Sequence, residues 1–154
     1  MSDQEELIAL SARFADAVTR VDVDAFADVW SDSGVWVIAP PLDVTMTGSG
    51  AELAAGFAAG AEAMWATFIQ QVHQVLVEVD SDSATGRTYI TELGYRHDGT
   101  GQTLHGVYDD EYVRTATGWK FAKRHFSYLY YDPATQFAGQ FFVNGKQVAS
   151  PQGS

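Results

Sequence analysis

The stretch Gln102-Thr103-Leu104-His105-Gly106-Val107-Tyr108-Asp109-Asp110-Glu111-Tyr112-Val113-Arg114 is followed by Thr115-Ala116-Thr117-Gly118 and then by Trp119-Lys120-Phe121-Ala122-Lys123-Arg124-His125-Phe126-Ser127-Tyr128-Leu129-Tyr130-Tyr131. Two long runs of β-branched and aromatic residues at period two, joined by a small polar cluster, describe neighbouring strands of an antiparallel sheet. The same reading extends upstream, with runs at 70–80 and 85–96 bounded by Asp80-Ser81-Asp82-Ser83 and His97-Asp98-Gly99-Thr100-Gly101. Four long strands therefore form a meander in the second half of the chain.

The first half has helical spacing. Ser2-x-x-Glu5 is a capping box, and Leu7, Leu10, Phe14, Ala17, Val18 and Val21 recur behind it, predicting a helix over about 3–20. After Asp22-Val23-Asp24, residues Phe26, Val29 and Trp30 suggest a short second helix that stops at the turn Ser31-Asp32-Ser33-Gly34. Val35 to Ile38 reads as a strand, and Leu42, Val44 and Met46 alternate in a half-buried second one. Ser49-x-x-Glu52 opens a third helix with Leu53, Phe57, Met64 and Phe68 on one face, which Gly56 and Gly60 make short, frayed or broken. Helices before a long sheet give an α+β fold, with the helices covering one sheet face. One domain spans residues 1–132. A tail at 133–154 follows, its aromatic part packed, Asn144-Gly145 forming a turn, and Ser150 to Ser154 disordered.

Composition narrows the function. The 154 residues are 46 % hydrophobic with no cysteine, which excludes thiol chemistry and disulfides. A net charge of −11 repels phosphate backbones and anionic surfaces, so neither nucleic acid nor membrane is expected as a partner, and a neutral small molecule is. The acidic start, Met1 to Glu6, is unlike a secretory signal, and the expected location is the cytoplasm. Without a close-spaced His-x-His or Glu-x-x-His pair, a glycine-rich phosphate loop or a nucleophile elbow, neither metal nor cofactor is expected.

Several residues carry candidate chemistry. His73 alternates in phase with Val75, Val77 and Val79, which turns it toward the apolar side, as a general base or as a core histidine held by a backbone carbonyl. Asp22, between the first two helices, either orients that imidazole or caps the second helix. Arg124 shares a phase with Ala122, Phe126, Tyr128 and Tyr130, where it either stabilises developing negative charge or pairs with a surface carboxylate. His105 and Tyr108 lie on opposite faces of one strand, and only one face can line a pocket. The last strands have large residues on both faces, so a homo-oligomer, dimer or trimer, is expected.

The helices, Val21-Asp22, a strand tryptophan (Trp36), an inward His73, Tyr108-x-Asp110-Glu111-Tyr112 and Gly118-Trp119-Lys120-Phe121-x-Lys123-Arg124 together resemble the SnoaL-like branch of the nuclear transport factor two-like superfamily. Over about residues 4–132 the pattern is similar to the dehydrochlorinase and scytalone dehydratase lyases of that branch. The resemblance implies a cone-shaped α+β barrel, a curved sheet wrapped on three helices around a deep pocket. It further implies an Asp22–His73 dyad that abstracts a proton from a small hydrophobic ring compound, assisted by Arg124. Trp36, His105, Tyr108, Phe126 and Tyr128 are then substrate-binding. Ala17 and Gln71 stand where the dehydrochlorinase has a lysine and a cysteine, which argues against dehydrochlorination itself. A lyase or isomerase is the resulting expectation, with a small-molecule carrier or the small subunit of a ring-hydroxylating dioxygenase as its rivals.

Overall fold

The computed structural model describes residues 1–148; the expected disorder of Ser150 to Ser154 lies outside them. Helix α1 (Asp3–Arg20) starts at the capping box read from the sequence: Ser2 Oγ accepts from the Glu5 amide at 3.1 Å while Glu5 Oε2 accepts from the Ser2 amide at 2.8 Å. It ends at Val21, which turns into the left-handed region at φ 51°. Helix α2 (Val23–Asp28) is a turn and a half that buries Phe26.

Strand β1 (Trp30–Ile38) begins five residues before its expected start. The Ser31-Asp32-Ser33-Gly34 cluster is not a turn but an irregular part of that strand, spanned by a register shift between Trp30 and Val35. Local turn propensity loses there to tertiary packing: Trp30 is buried against Phe14, Phe26 and Phe121, and the Phe121 amide donates to the Val29 carbonyl.

Strand β2 (Val44–Gly48) pairs with β1. Helix α3 (Gly50–Met64) has its own capping box at Ser49 and Glu52 and runs unbroken through Gly56 and Gly60. Two glycines cost a helix about 1 kcal/mol each, which the cap and the burial of Leu53, Ala54, Phe57 and Ala61 offset. Phe68, expected on this helix, belongs instead to the next strand. It meets Phe57 across the core at 6.1 Å between ring centroids, so an apolar spacing that reads as one helix face is shared by two elements.

Strands β3 (Trp65–Asp80), β4 (Ser83–Arg96), β5 (Gly101–Thr115) and β6 (Gly118–Thr135) form the meander. The six-stranded sheet has the order β2-β1-β6-β5-β4-β3. All its pairs are antiparallel except β1 with β6, which is parallel and so departs from the all-antiparallel expectation. The long excursion through α3 and the meander returns the chain to β1 in the parallel sense. β2 and β3 are edges, so the curved sheet is not closed into a barrel.

Three irregularities re-aim side chains: β3 shifts register between Val72 and Val75, and β6 shifts around Ala122 and around Leu129. Consequently Trp119, Phe121, Arg124 and Phe126 all turn inward while Tyr130 turns out, although simple alternation separates them otherwise. The core packs Phe14, Phe26, Trp30, Trp36, Phe57, Tyr108 and Phe121 between helices and sheet. In the tail, Phe141 stacks on Tyr95 and meets Phe137 edge-on, and β7 (Phe142–Val143) with β8 (Lys146–Gln147) closes a hairpin through Asn144-Gly145.

Candidate active site

Between α3 and the inner face of the sheet lies a cavity of about 410 Å³, walled by apolar side chains that include Trp36, Phe57, Phe68, Leu104 and Phe126. The volume falls in the range of small-molecule pockets. Its polar groups come from adjacent strands: Gln70 on β3, Glu92 and Arg96 on β4, Gln102 and Tyr108 on β5, and Tyr128 and Tyr131 on β6. Among the described residues Glu92 is the only carboxyl group lining it.

Glu92 is held at both oxygens. Gln70 Nε2 donates to Oε2 at 3.1 Å and Gln102 Nε2 donates to Oε1 at 3.4 Å. Burial among apolar walls pushes its pKa up, because desolvation penalises the carboxylate, and the two amide donors only partly oppose that. Gln70 Oε1 is itself buried with no hydrogen-bond partner among the described residues. Tyr128 is pushed up to about 12, chiefly by burial, and stays a neutral phenol. Tyr108 is displaced in the same direction for the same leading reason, against the pull of the Arg124 charge. A carboxyl group shifted toward neutrality at the wall of an aromatic pocket is a candidate for proton transfer.

The structure divides the residues expected from the sequence. Trp36, Tyr108, Phe126 and Tyr128 line the cavity. His105 does not; it lies on the exposed face of β5, and the pocket takes the Tyr108 face. His73 is also exposed, which corrects its expected inward direction. The register shift between Val72 and Val75 inserts an extra residue, so that Val75 and Val77 face in while His73 faces out. There its Nε2 shares the Thr91 hydroxyl, at 2.7 Å, with His105 Nδ1 at 3.2 Å.

Asp22 is the N-cap of α2: its Oδ1 accepts from the Ala25 amide at 3.1 Å, and its side chain is exposed. The structure contains no hydrogen bond between Asp22 and His73. Arg124 faces inward as expected but does not line the cavity. It is 1 % exposed, and its Nε and Nη2 donate to Asp110 Oδ1 and Oδ2 at 2.8 and 3.1 Å. Its guanidinium lies over Tyr108 at 3.7 Å and against Phe14 and Phe121. Arg124 thus forms a core ion pair with Asp110, outside the cavity lining.

Glu92, Gln70 and Gln102 are the polar residues that the sequence reading passed over. In β4 the even-numbered face, with Ala84, Thr88, Ile90 and Glu92, is the more buried one, while Ser83, Thr85 and Arg87 of the odd-numbered face are exposed. The signal was available in the neighbouring strand. Glu92 pairs with Leu104, on the Tyr108 face of β5, so choosing that face for the pocket also chooses Glu92.

Known proteins share this fold. A hexachlorocyclohexane dehydrochlorinase from Novosphingobium barchaimii superposes with a TM-score of 0.75 at 23 % identity, covering 91 % of this chain and 93 % of its own. A scytalone dehydratase-like protein from Novosphingobium aromaticivorans gives 0.76 at 14 % identity, covering 88 % and 90 %. The Kribbella flavida protein Kfla4162 gives 0.77 at 23 %, covering 84 % and 93 %. These likenesses establish the fold. No curated protein matches the chain. Residues 1–125 match the model of the SnoaL-like domain, and the chain belongs to that family.

Proposed function

We propose that this protein is a lyase or isomerase of the proton-abstracting type, acting on a small hydrophobic ring compound in the cone pocket, with Glu92 as the acid–base group. The observation that carries the reading is a single carboxyl group, raised in pKa, at the wall of an apolar cavity of about 410 Å³. The dehydrochlorinase and dehydratase names of structural neighbours support the same general chemistry. In this reading the Glu92 carboxylate removes a proton from a ring carbon, Gln70 and Gln102 hold the carboxylate, and Trp36, Tyr108, Phe126 and Tyr128 seat the ring.

The test uses 2-tetralone, a fused-ring ketone with acidic ring C–H bonds, in deuterated buffer. Wild-type protein accelerates deuterium exchange at the carbon next to the carbonyl, Glu92→Gln loses about 10²- to 10⁴-fold of that acceleration, and His73→Ala keeps it. Binding that quenches tryptophan fluorescence without any exchange is the outcome of a carrier, and it overturns the enzymatic reading.

A further inference from the structure

Arg96 lies at the end of β4, at the rim of the pocket, and every hydrogen bond it makes serves one geometry. Its Nη1 donates to Thr100 Oγ1 at 3.1 Å and to the carbonyls of Gly101 and Pro133 at 3.4 and 3.3 Å. Its guanidinium lies 4.9 Å from the Trp65 ring. Its Nη2 donates to Gln102 Oε1 at 2.9 Å, a charge-assisted bond, and the Tyr131 hydroxyl approaches the same oxygen at 3.4 Å.

A guanidinium has five donors and no acceptor. The Gln102 amide atom facing Arg96 is therefore its oxygen, and the amide nitrogen is turned the other way, onto Glu92 Oε1. The two amides that hold Glu92 thus differ. Gln102 is pinned from behind by a permanent cation, whereas the free Oε1 of Gln70 leaves that amide able to turn over. Arg96 itself makes no ion pair with Glu92 among the described residues.

We propose that Arg96 is a positioning residue for Glu92, acting through Gln102: it locks the amide so that an N–H, never a carbonyl, is presented to Glu92 Oε1. The inference rests on Glu92 being the proton-transfer group, but its first test does not need activity. Without Arg96 the amide is free to turn its oxygen toward the carboxylate, which disfavours the charged form. The other charged or titratable groups lining the pocket around Glu92 are Tyr108 on β5 and Tyr128 and Tyr131 on β6. The lining residues contributed by α1, α3, β1, β2 and β3 are uncharged.

The experiment is an NMR titration of the Glu92 carboxyl carbon in the full ¹³C-glutamate-labelled chain, assigned by loss of the signal in Glu92→Gln. Arg96→Met and Gln102→Leu each move the midpoint upward. The double variant moves it no further than Gln102→Leu alone, and Arg96→Lys, which retains a donor for Gln102, stays near wild type. An unmoved midpoint in Arg96→Met overturns the proposal. So do additive shifts in the double variant, which mean that Arg96 acts on Glu92 by its charge alone. Where 2-tetralone exchange is present, the acid limb of its pH profile moves with the midpoint. Failure of exchange in every variant refutes the enzymatic reading and leaves the carboxyl titration to judge Arg96.

Discussion

Arg124 and Asp110 face each other across β6 and β5 as a two-pronged ion pair, 2.8 and 3.1 Å long, with side chains 1 % and 0 % exposed. The Thr88 and Tyr112 hydroxyls donate to Asp110 Oδ2 as well, at 2.9 and 3.2 Å. The pair lies directly beneath Tyr108, whose ring covers the guanidinium at 3.7 Å and forms part of the pocket wall. The floor of the cavity therefore rests on a sealed charge pair.

Removing one member strands the other. Asp110→Ala leaves an uncompensated buried guanidinium and is expected to cost about 3–5 kcal/mol of folding stability. Urea unfolding followed by tryptophan fluorescence checks this. Replacing both residues with apolar ones of similar volume, Arg124→Met with Asp110→Leu, is expected to cost less than Asp110→Ala alone, and a larger loss in the pair contradicts the ion-pair account.

Glu92 makes stability depend on pH. Its folded pKa lies above the ordinary 4.5, so between the two values the folded chain holds a proton that the unfolded chain has released. Its contribution is fully present below about pH 4.5 and is lost as the pH rises through the folded value. Glu92→Gln has no carboxylate to desolvate, so its stability relative to wild type rises across that window and then levels off. The difference in unfolding free energy between the two proteins, measured from pH 4 to pH 8, reads this directly, and a flat difference refutes it.

Asp22 and His73 behave as independent surface residues in this structure. Asp22→Ala removes the α2 cap and is expected to cost about 1 kcal/mol, while His73→Ala stays within about 0.5 kcal/mol of wild type. Urea unfolding checks both values, and a non-additive cost in the double variant Asp22→Ala with His73→Ala restores a coupling between the two residues.

The α1 cap at Ser2–Glu5, the α3 cap at Ser49–Glu52 and the four period-two runs were legible because each is set by neighbours a few residues away in the chain. Trp36, Tyr108, Phe126 and Tyr128 were legible as pocket residues once the family pattern supplied the cone. What failed did so where alternation was broken: the shift at His73–Gln74 turned a candidate base to solvent, and the shift at Ala122 brought Phe121 and Arg124 to the same side.

By itself, then, the sequence determined the α+β class, the helix starts, the strand runs and the exclusion of thiol chemistry. These follow from local periodicity, capping and composition. Only the tertiary structure decided which face of β4 looks inward, that Arg124 is spent on Asp110, and that Glu92, Gln102 and Arg96 stand in line at the pocket. Side-chain direction in a curved, bulged sheet depends on cross-strand register, and register is a relation between residues such as Glu92 and Leu104 that no single run of sequence contains.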